Sequence, residues 1–569
     1  MKKILLQVLL IASALTGKAQ IMMTLGDNKY NIAEVDSIVF THVDLPSATT
    51  MMEQSGQYGI FVEALRLTGI ADSLMATEKD REYTMRNHTD RYGNSLYYPT
   101  TCDLGFTVFA EKDDVLRAAG INSVADLIAK CKEWYGNPSW YDLIAEQGVN
   151  ISTGSDYTNE WNVLHMFVAY HIIPAKIAVD ELVYERNSKN DNWNYCFGYE
   201  PQAYYETMLQ GTMLKVWQTN PKTQKELWLN RYVKNNTLTD QYATFGSDAI
   251  HPLLYSGAQI NREASLETIN ASIHSIDKVL LYDQNARDSQ HERMRFHVNQ
   301  MLPELATNKI MRASNFEISM LNGGGDGSRL ALPTDYFDHL HCYQPDMVLR
   351  YCVCGAWRAL ESTQLQGWDD YDFAIRLPRV PSGRYEVRTM YAPMSIGALM
   401  EFYISSDSTL ANMQKLSTLD VMQDPSEADF GYVAIVGDNY WGDEEPADKY
   451  GIEAGKTMRK NGYMYAPASF SRGMYNTITD PLTVTEDDPY AACRQMVGST
   501  SCRTESGYGI MQLRYIIGTV DMKQGQDCWL RIRGTQPADF DGQKAWNLNF
   551  IELVPTDVAD NDTLMEDWY

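Results

Sequence analysis

The spacing of apolar residues changes along the chain. Between residues 50 and 285, stretches with helical spacing, such as 60–67, alternate with short runs rich in β-branched and aromatic residues. From residue 328 onward, apolar and polar residues alternate in short runs that Pro and Gly turns separate. The pattern predicts an α+β fold, with a mixed region at 50–285 and an antiparallel β-sandwich at 328–556.

Several elements of the mixed region have clear boundaries. Residues 105–110 are rich in strand formers, and 113–120 is a short helical stretch that a glycine closes. Ser123 is followed three residues later by Asp126, which is typical of a helix N-terminus. We expect an apolar helix from Leu164 up to Pro174, where proline cannot continue it.

The alternation in the second region identifies individual strands. They are expected at 372–377, 383–391, 400–404 and 528–533. The stretch between the two regions, 286–327, is a predicted connector, helical over 290–305 and rich in glycine at 322–327. An acidic tail is expected at 557–569.

The N-terminus has the three parts of a secretory signal peptide. A basic start precedes a short uncharged apolar run, and small residues precede a cleavage position after Ala19. Residues 1–19 are therefore the predicted signal peptide, and the first cysteine, Cys102, lies too far away for a lipid anchor. A small β unit follows at 20–45, with a hairpin turn at 26–28. The mature protein is expected outside the cytoplasm, as a secreted, periplasmic or cell-surface protein.

Four motifs of the mixed region occur in the order of a known module. They are 107–113 (TVFAEKD), 170–174 (YHIIP), 209–216 (LQGTMLKV) and 270–280 (NASIHSIDKVL). These motifs resemble those of the fasciclin domain, a cell-adhesion module, and the resemblance covers 50–285. It implies a β-sandwich wedge with helices, and it links Tyr170 and His171 to receptor binding. Glu111 and Lys112 replace the usual Pro-Thr of the first motif, and long insertions lie at 79–104 and about 185–205.

Two weaker resemblances concern the flanking regions. The segment 32–40 (IAEVDSIVF) is similar to an element that follows the signal peptide in surface proteins of certain Gram-negative gut bacteria. Region 328–556, with its closing run 546–555, looks like a jelly-roll, carbohydrate-binding-module-like domain that often follows a fasciclin domain there. Both imply a protein of the cell surface or outer membrane.

Charge excludes two classes of partner. The chain has 569 residues, 48 Lys and Arg and 74 Asp and Glu, which gives a formal net charge of −26. Binding of nucleic acid and of anionic lipid needs clustered basic residues, so neither is expected. No stretch after the signal peptide is long and apolar enough for a transmembrane helix. The nine cysteines leave at least one unpaired, and Cys493 with Cys502 could close a local loop.

Signatures of enzymes are missing from the sequence. There is no His-Glu-x-x-His zinc motif and no Gly-x-Ser-x-Gly elbow, and 451–457 (GIEAGKT) is one residue short of a phosphate loop. The sequence therefore predicts a protein that is not an enzyme, although paired carboxylates for glycoside hydrolysis cannot be recognised from sequence alone.

Candidate metal ligands are few. His339 and His341 would share one strand face, with Asp335 and Asp338 nearby, and a polar loop is the alternative interpretation. Acidic clusters at 369–372 and 438–448 could hold calcium through oxygen ligands, although solvated loops explain them as well. No cofactor is predicted, apart from calcium as an option.

Aromatic residues are the best candidates for ligand binding, because their faces stack on sugar rings. In the β region they are Trp368, Tyr371, Tyr440, Trp441 and Tyr450, which lie in turn-rich acidic segments. The alternative is that they cap the sandwich core. An aromatic run at 193–199 is a second candidate, and Tyr170 and His171 are candidates through the fasciclin resemblance, with a buried, packed histidine as the alternative.

Together these observations predict an extracytoplasmic, non-enzymatic adhesion or binding protein. Its partner would be a glycan or a surface or matrix protein. Two alternatives stay open, a glycan-binding accessory protein of a polysaccharide-uptake system that acts through 328–556, and a glycan hydrolase.

Overall fold

The computed structural model describes most of the chain. The described residues are 22–25, 28–31, 46–81, 83, 88–89, 95–96, 99–183, 202–219, 226–233, 254–311, 329–344, 347–353, 360–361, 363–368, 371–393, 398–425, 427–433, 452–465, 512–535 and 545–560. The chain divides into two compact units, Met1–Leu45 and Pro46–Tyr569.

The first unit contains a hairpin. Strand β1 (Met22–Leu25) pairs antiparallel with β2 (Asn28–Asn31), and Leu25 lies opposite Asn28. Because Leu25 pairs with Asn28, the connection between the strands has the length of a tight hairpin. The predicted hairpin is confirmed, and the rest of 20–45 lies outside the described residues.

The second unit begins with a mixture of helices and strands. Its helices up to residue 311 are α1 (Ala48–Ser55), α2 (Gly59–Leu67), α3 (Ile70–Ser73), α4 (Asp113–Ala118), α5 (Val124–Tyr135), α6 (Asp142–Ala145), α7 (Val163–Tyr170), α8 (Gln284–Asp288), α9 (Val298–Met301) and α10 (Pro303–Thr307). Its strands there are β3 (His88–Thr89), β4 (Ser95–Leu96), β5 (Phe106–Glu111), β6 (Ile172–Ile173), β7 (Gln202–Glu206), β8 (Met213–Thr219), β9 (Glu226–Leu229), β10 (Tyr232–Val233), β11 (Leu254–Tyr255), β12 (Ala258–Glu267), β13 (Ala271–Ile276) and β14 (Met294–His297).

A seven-stranded sheet organises this part of the unit, in the order β6-β5-β13-β12-β9-β8-β7. Strands β5 and β13 are parallel neighbours, and the other pairings of the sheet are antiparallel. All residues of β5 and of β13 are buried, because both faces of the sheet centre are covered.

Local sequence signals determine where the helices begin and end. Helix α5 begins after Ser123, whose hydroxyl accepts the Asp126 N–H at 3.2 Å, and α4 is followed by Gly120 at φ +83°, so both predictions are confirmed. The helix expected to reach Pro174 ends at Tyr170 instead. The β-branched residues Ile172 and Ile173 pair with β5 as a short edge strand, which stops the helix earlier.

The second half of the unit is mostly antiparallel. Its strands are β15 (Arg329–Leu332), β16 (Leu340–Cys342), β17 (Leu349–Val353), β18 (Thr363–Trp368), β19 (Asp372–Arg376), β20 (Gly383–Tyr391), β21 (Leu399–Ser405), β22 (Gln414–Asp420), β23 (Tyr463–Tyr465), β24 (Leu513–Met522), β25 (Trp529–Thr535), β26 (Ala545–Leu548) and β27 (Phe550–Pro555). Its helices are α11 (Ile452–Lys460) and α12 (Thr556–Ala559). The four strands predicted from alternation correspond to β19, β20, β21 and β25.

These strands form sandwich-like layers. One layer is the sheet β16-β19-β25-β21-β22, and the other consists of β14-β27-β20-β24-β23 and β15-β17-β18-β26, which meet at Asn549 between β26 and β27. Phe373 of the first layer contacts Trp546 of the second with ring centroids 4.6 Å apart, and Phe402 lies 5.9 Å from Tyr515. Aromatic pairs therefore contribute to the core between the layers.

The predicted connector is helical only in part. Within 290–305 the chain first forms strand β14, which pairs antiparallel with β27 at the edge of the second layer, and then the short helices α9 and α10. The four residues of β14 are all buried, and Arg295 pairs in register with Glu552, so sheet pairing and burial override the helical spacing seen in the sequence there.

Buried polar contacts join the two halves of the second unit. Glu206, at the end of β7, accepts a two-point hydrogen bond from Arg376 of β19 at 3.0 and 2.8 Å. Burial alone would raise the pKa of Glu206, but the charge of Arg376 lowers it below its ordinary value. The turn between β24 and β25 also packs against the first half through Gln524.

The described cysteines Cys102, Cys131, Cys342 and Cys528 are free thiols. Cys493 and Cys502 of the suggested local bridge lie outside the described residues. Among the helices that the structure describes, none has the length and apolar character needed to cross a membrane.

Candidate functional site

Tyr170 and His171 lie in the core. Helix α7 is apolar on every side, so its last residue and the residue after it have no exposed surface. The Tyr170 hydroxyl donates to the Met213 carbonyl at 3.2 Å and accepts from the Asn230 amide at 2.9 Å. The burial of both residues places them beyond the direct reach of a ligand at the surface.

The hydrogen bonds of His171 are those of a structural residue. One ring nitrogen lies 2.7 Å from the Phe167 carbonyl, and the other lies 2.9 Å from the Glu111 carboxylate, which also accepts the Leu280 N–H at 2.8 Å. Glu111, which departs from the usual fasciclin motif, therefore ties strand β5 to the end of helix α7. The Glu111–His171 hydrogen bond therefore stabilises the packing of the core.

The aromatic candidates of the β region are spread over different environments. Tyr371 is buried and packs on Trp546, with ring centroids 5.5 Å apart, so it belongs to the sandwich core. Trp368 is the last residue of β18, opposite Ala545. Tyr440, Trp441 and Tyr450 lie outside the described residues, as does the run 193–199.

The histidines considered as metal ligands are used differently. His339 contacts the guanidinium of Arg376 at 2.9 Å, and burial together with that charge lowers the pKa of His339. Asp338 is engaged by Lys79 at 2.9 Å and by Arg81 at 3.3 Å. Within the part of the chain that the structure describes, no group of three His, Cys, Asp or Glu residues could hold a metal ion.

The structure instead brings aromatic and charged residues together on the side of the β16-β19-β25-β21-β22 sheet that faces away from the core. We call this side the outer face. Strand register aligns His341, Ala374, Arg531, Tyr403 and Lys415 in one row across all five strands. The adjacent row on the same side contains Asp372, Arg533 and Glu401. The alternate residues point into the core, so the division between the two sides follows the period of the strands.

A stack of planar groups crosses the middle of the outer face. The Arg531 guanidinium lies 5.3 Å from the ring centre of Tyr343 and 5.0 Å from that of Tyr403. Asp372 holds the same guanidinium through two hydrogen bonds of 2.7 and 2.6 Å, and His341 packs edge-on against Tyr343 at 4.8 Å. The stack is thus fixed before any ligand binds.

Charged side chains border this stack. Glu401 accepts hydrogen bonds from Lys415 at 2.5 Å and from Tyr403 at 2.9 Å. Burial raises the pKa of Glu401 slightly, but the hydrogen bonds from Lys415 and Tyr403 lower it below its ordinary value. Hydrogen bonding to Asp372 raises the pKa of Arg531. The outer face therefore offers fixed donors and acceptors beside aromatic rings, which is the combination that sugar hydroxyls and sugar faces require.

Sequence analysis missed the residues of the outer face, although a signal for them was present. The alternation of 528–533 places Trp529, Arg531 and Arg533 on one side of a strand, and 400–404 places Tyr403 on the polar side of another. What the pattern lacked was the order of the strands in the sheet. That order alone puts Tyr403 and Tyr343 on either side of Arg531.

Comparisons with known proteins add little to this geometry. No family model matches the chain, and no curated protein matches it either. Among solved structures the chain is similar to the insecticidal crystal protein Cry2Aa, with 8% identity over 78% of this chain and 69% of that one, at a TM-score of 0.14. A similarity this low says nothing about the fold or function of the chain.

Proposed function

We propose that this chain is an extracytoplasmic, non-enzymatic binding protein whose outer face captures glycans. The observation that carries the proposal is the Tyr343–Arg531–Tyr403 stack, held rigid by Asp372 on the outside of a sandwich-like sheet. A rigid site loses little conformational entropy on binding, which favours recognition of flexible sugar chains. A role as an accessory protein of polysaccharide uptake fits this proposal.

The state of the carboxylates supports binding rather than hydrolysis. A glycosidase needs one carboxyl group with a raised pKa as general acid. On the outer face Asp372 is engaged at both oxygens by Arg531, and the pKa of Glu401 is lowered. Both groups are therefore suited to accept hydrogen bonds from hydroxyls as carboxylates.

We propose further that 50–285 is a fasciclin domain and that 1–19 is a signal peptide. The first of the four motifs covers most of strand β5 and the last contains β13, and these strands are parallel neighbours in the sheet. This pairing supports the proposal, because it joins the two motifs in one structure. The signal peptide supports a location outside the cytoplasm, secreted, periplasmic or at the cell surface.

Glycan binding is tested on the outer face itself. We expect the full mature chain to bind an oligosaccharide from an array of plant and host glycans, with saturation in a following calorimetric titration. Tyr403→Ala and Trp529→Ala should each weaken binding by roughly fivefold or more, because one stacking contact contributes about 1 kcal/mol. Tyr157→Ala, a partly exposed tyrosine of the loop before α7, is the matched control and should bind like the unchanged protein. Absence of saturable binding, or equal affinities for all variants, would refute the proposal.

A second candidate function, adhesion to a protein, is favoured by one observation in the first half of the unit. Met75 is 64% exposed and Ile269 is 52% exposed, and Asn270, next to Ile269, donates to the carbonyls of Leu74 and Ala76 on either side of Met75. Such an apolar pair suits a protein partner.

The adhesion candidate has its own test. Beads coated with the protein should attach to immobilised matrix protein, and the double variant Met75→Ser/Ile269→Ser should reduce attachment several-fold while leaving glycan affinity unchanged. Leu410→Ser, at a residue 50% exposed elsewhere, is the control. If the double variant attaches as well as the control, adhesion through this pair is excluded.

A further inference from the structure

A second cluster of aromatic and basic residues lies on the seven-stranded sheet. Trp217 of β8 and Trp228 of β9 are directly opposite each other in register. Their row continues to Gln202 of β7 on one side and to Gln259 of β12 on the other. The alternate residues of these strands, such as Val216 and Leu227, are buried in the core, so the tryptophan row belongs to the opposite side of the sheet. On that side Trp217 is also buried, with 1% of its surface exposed, whereas Trp228 is partly exposed.

Cations cover both tryptophan rings. The Arg231 guanidinium lies 5.6 Å from the ring centre of Trp217 and 5.0 Å from that of Trp228. Lys215 lies 4.9 Å from Trp217, and Lys278 lies 5.9 Å from Trp228. Two rings and three cations therefore lie together on this part of the sheet, in a chain with a net charge of −26.

The three cations differ in what they pair with. Lys215 forms an ion pair with Glu292, and Lys278 donates to the Ser256 hydroxyl and the Gly257 carbonyl. Arg231 forms no hydrogen bond or ion pair with any residue that the structure describes, and its Nε atom is buried without an acceptor. Burial lowers the pKa of Arg231, and the charge of Glu226 offsets this only in part. A half-buried guanidinium with unused donors is costly unless an acceptor arrives.

The backbone beside Arg231 is held firmly. Asn230 adopts φ +54°, a left-handed conformation, and its side-chain amide donates to the Tyr170 hydroxyl at 2.9 Å. The Asn230 N–H donates to the Lys215 carbonyl at 2.8 Å. A Cβ atom at Gly257 would come within 3.1 Å of the backbone nitrogen of Arg231. Strain of this kind persists where the surroundings fix it, and it is common at binding sites. Tyr170 therefore acts as a positioning residue for the turn that carries Arg231.

We propose that Arg231, seated on Trp217 and Trp228, is a binding site for the carboxylate or sulfate of an acidic saccharide. The guanidinium face rests on the indole rings, and Arg231 is partly exposed although its Nε atom is buried, so its terminal NH2 groups are the donors for a two-point hydrogen bond to an oxyanion. Trp228 is partly exposed and offers a surface for the sugar ring that carries the anion. The saccharide part of this site rests on the proposed glycan-binding function, whereas the preference for an oxyanion rests on Arg231 alone.

The test compares acidic and neutral sugars on the full mature chain. Calorimetric titrations use trigalacturonate, sulfated galactotriose and neutral galactotriose. We expect at least one acidic sugar to bind more tightly than the neutral one, with an affinity that falls as salt is added. Arg231→Gln should lose roughly tenfold or more of the affinity for the acidic sugar and none for the neutral sugar, because it removes charge-assisted hydrogen bonds. Binding of trigalacturonate would identify the anion as a carboxylate, and binding of sulfated galactotriose would identify it as a sulfate.

Two further variants keep the test decisive. Arg231→Lys retains a cation on the tryptophan rings and the fold, but it lacks the two-point geometry, so it should bind with intermediate affinity. Arg66→Gln removes an exposed arginine of helix α2 and should change nothing. Equal binding of acidic and neutral sugars, or unchanged acidic binding in both Arg231 variants, overturns the proposal. Outer-face variants Tyr403→Ala and Trp529→Ala should keep the acidic preference, which separates failure of this site from failure of the outer face.

Discussion

Replacing Glu552 with glutamine should lower the free energy of unfolding by about 3–5 kcal/mol, because it removes the one negative charge that three buried guanidinium groups share. Glu552 of β27 has no exposed surface. Its carboxylate lies 2.6 Å from Arg295 of β14, 3.4 Å from Arg388 of β20 and 3.3 Å from Arg514 of β24. These three guanidinium groups are equally buried, so one carboxylate holds four neighbouring strands together.

The pH dependence of the free energy of unfolding tests the role of the Glu552 carboxylate independently. Burial alone would raise the pKa of Glu552, but the charges of Arg514, Arg295 and Arg388 lower it well below its ordinary range. A lowered pKa in the folded state means that the stabilisation is complete above the unfolded-state pKa. It is lost progressively as the pH falls from there toward the folded-state value. The Glu552→Gln variant should therefore lose less stability than the unchanged protein between neutral and strongly acidic pH.

Urea unfolding at neutral pH and at a series of acidic pH values measures both effects. The matched control is Glu453→Gln, since Glu453 is an exposed partner of Lys456 on helix α11. A surface pair of this kind contributes at most about 1 kcal/mol, so the control should unfold close to the unchanged protein. If both variants have the same midpoint and the same acid slope, the buried network does not depend on Glu552.

The strands could be predicted from the sequence because alternation is a local property. Strand β20 covers the residues expected of it, 383–391, since Tyr385 and Val387 alternate with charged residues. The buried charges could not be predicted in this way. Glu552 is the one charged residue of β27, and helix α12 packs on β20 and β27 beside it. Burial of a polar strand face is decided by elements distant in sequence.

The candidate sites show the same limit. A sequence motif drew attention to Tyr170 and His171, yet helix α7 is apolar all round, and this composition predicts burial. Turn-rich surroundings suggested that Tyr371 is a ligand platform, but Gly534 leaves room for its ring against the sheet, because a Cβ there would lie 2.4 Å from it. The Arg231 cluster needed the pairing of β8 with β9, which no local pattern encodes.

One buried side chain, Gln524, makes several of the hydrogen bonds at the junction between the halves of the second unit. Gln524, at the turn between β24 and β25, is fully buried. Its carbonyl oxygen accepts the Asp142 N–H at 2.9 Å, and its amide donates to the Gly211 carbonyl at 2.9 Å and to the Tyr282 hydroxyl at 2.6 Å. Gln524→Ala leaves these partners buried without a hydrogen bond, at about 1–3 kcal/mol each. We expect a total loss of about 3 kcal/mol, since part of the junction can relax.

Because Gln524 lies at the junction of the two halves, Gln524→Ala should change the shape of the unfolding transition as well as its free energy. Because Gln524 links 46–311 to the sandwich-like half, its removal should uncouple them, so calorimetric unfolding broadens or separates into two transitions. Hydrogen exchange should rise at the N-terminus of helix α6, where the Asp142 N–H loses its acceptor. Gln526→Ala alters an exposed glutamine of the same turn, whose only side-chain contact among the described residues is a 3.4 Å bond to Gln147. That variant should keep a single transition, and an identical result for both variants would show that the halves cohere through the Glu206–Arg376 pair and the continuous apolar core instead.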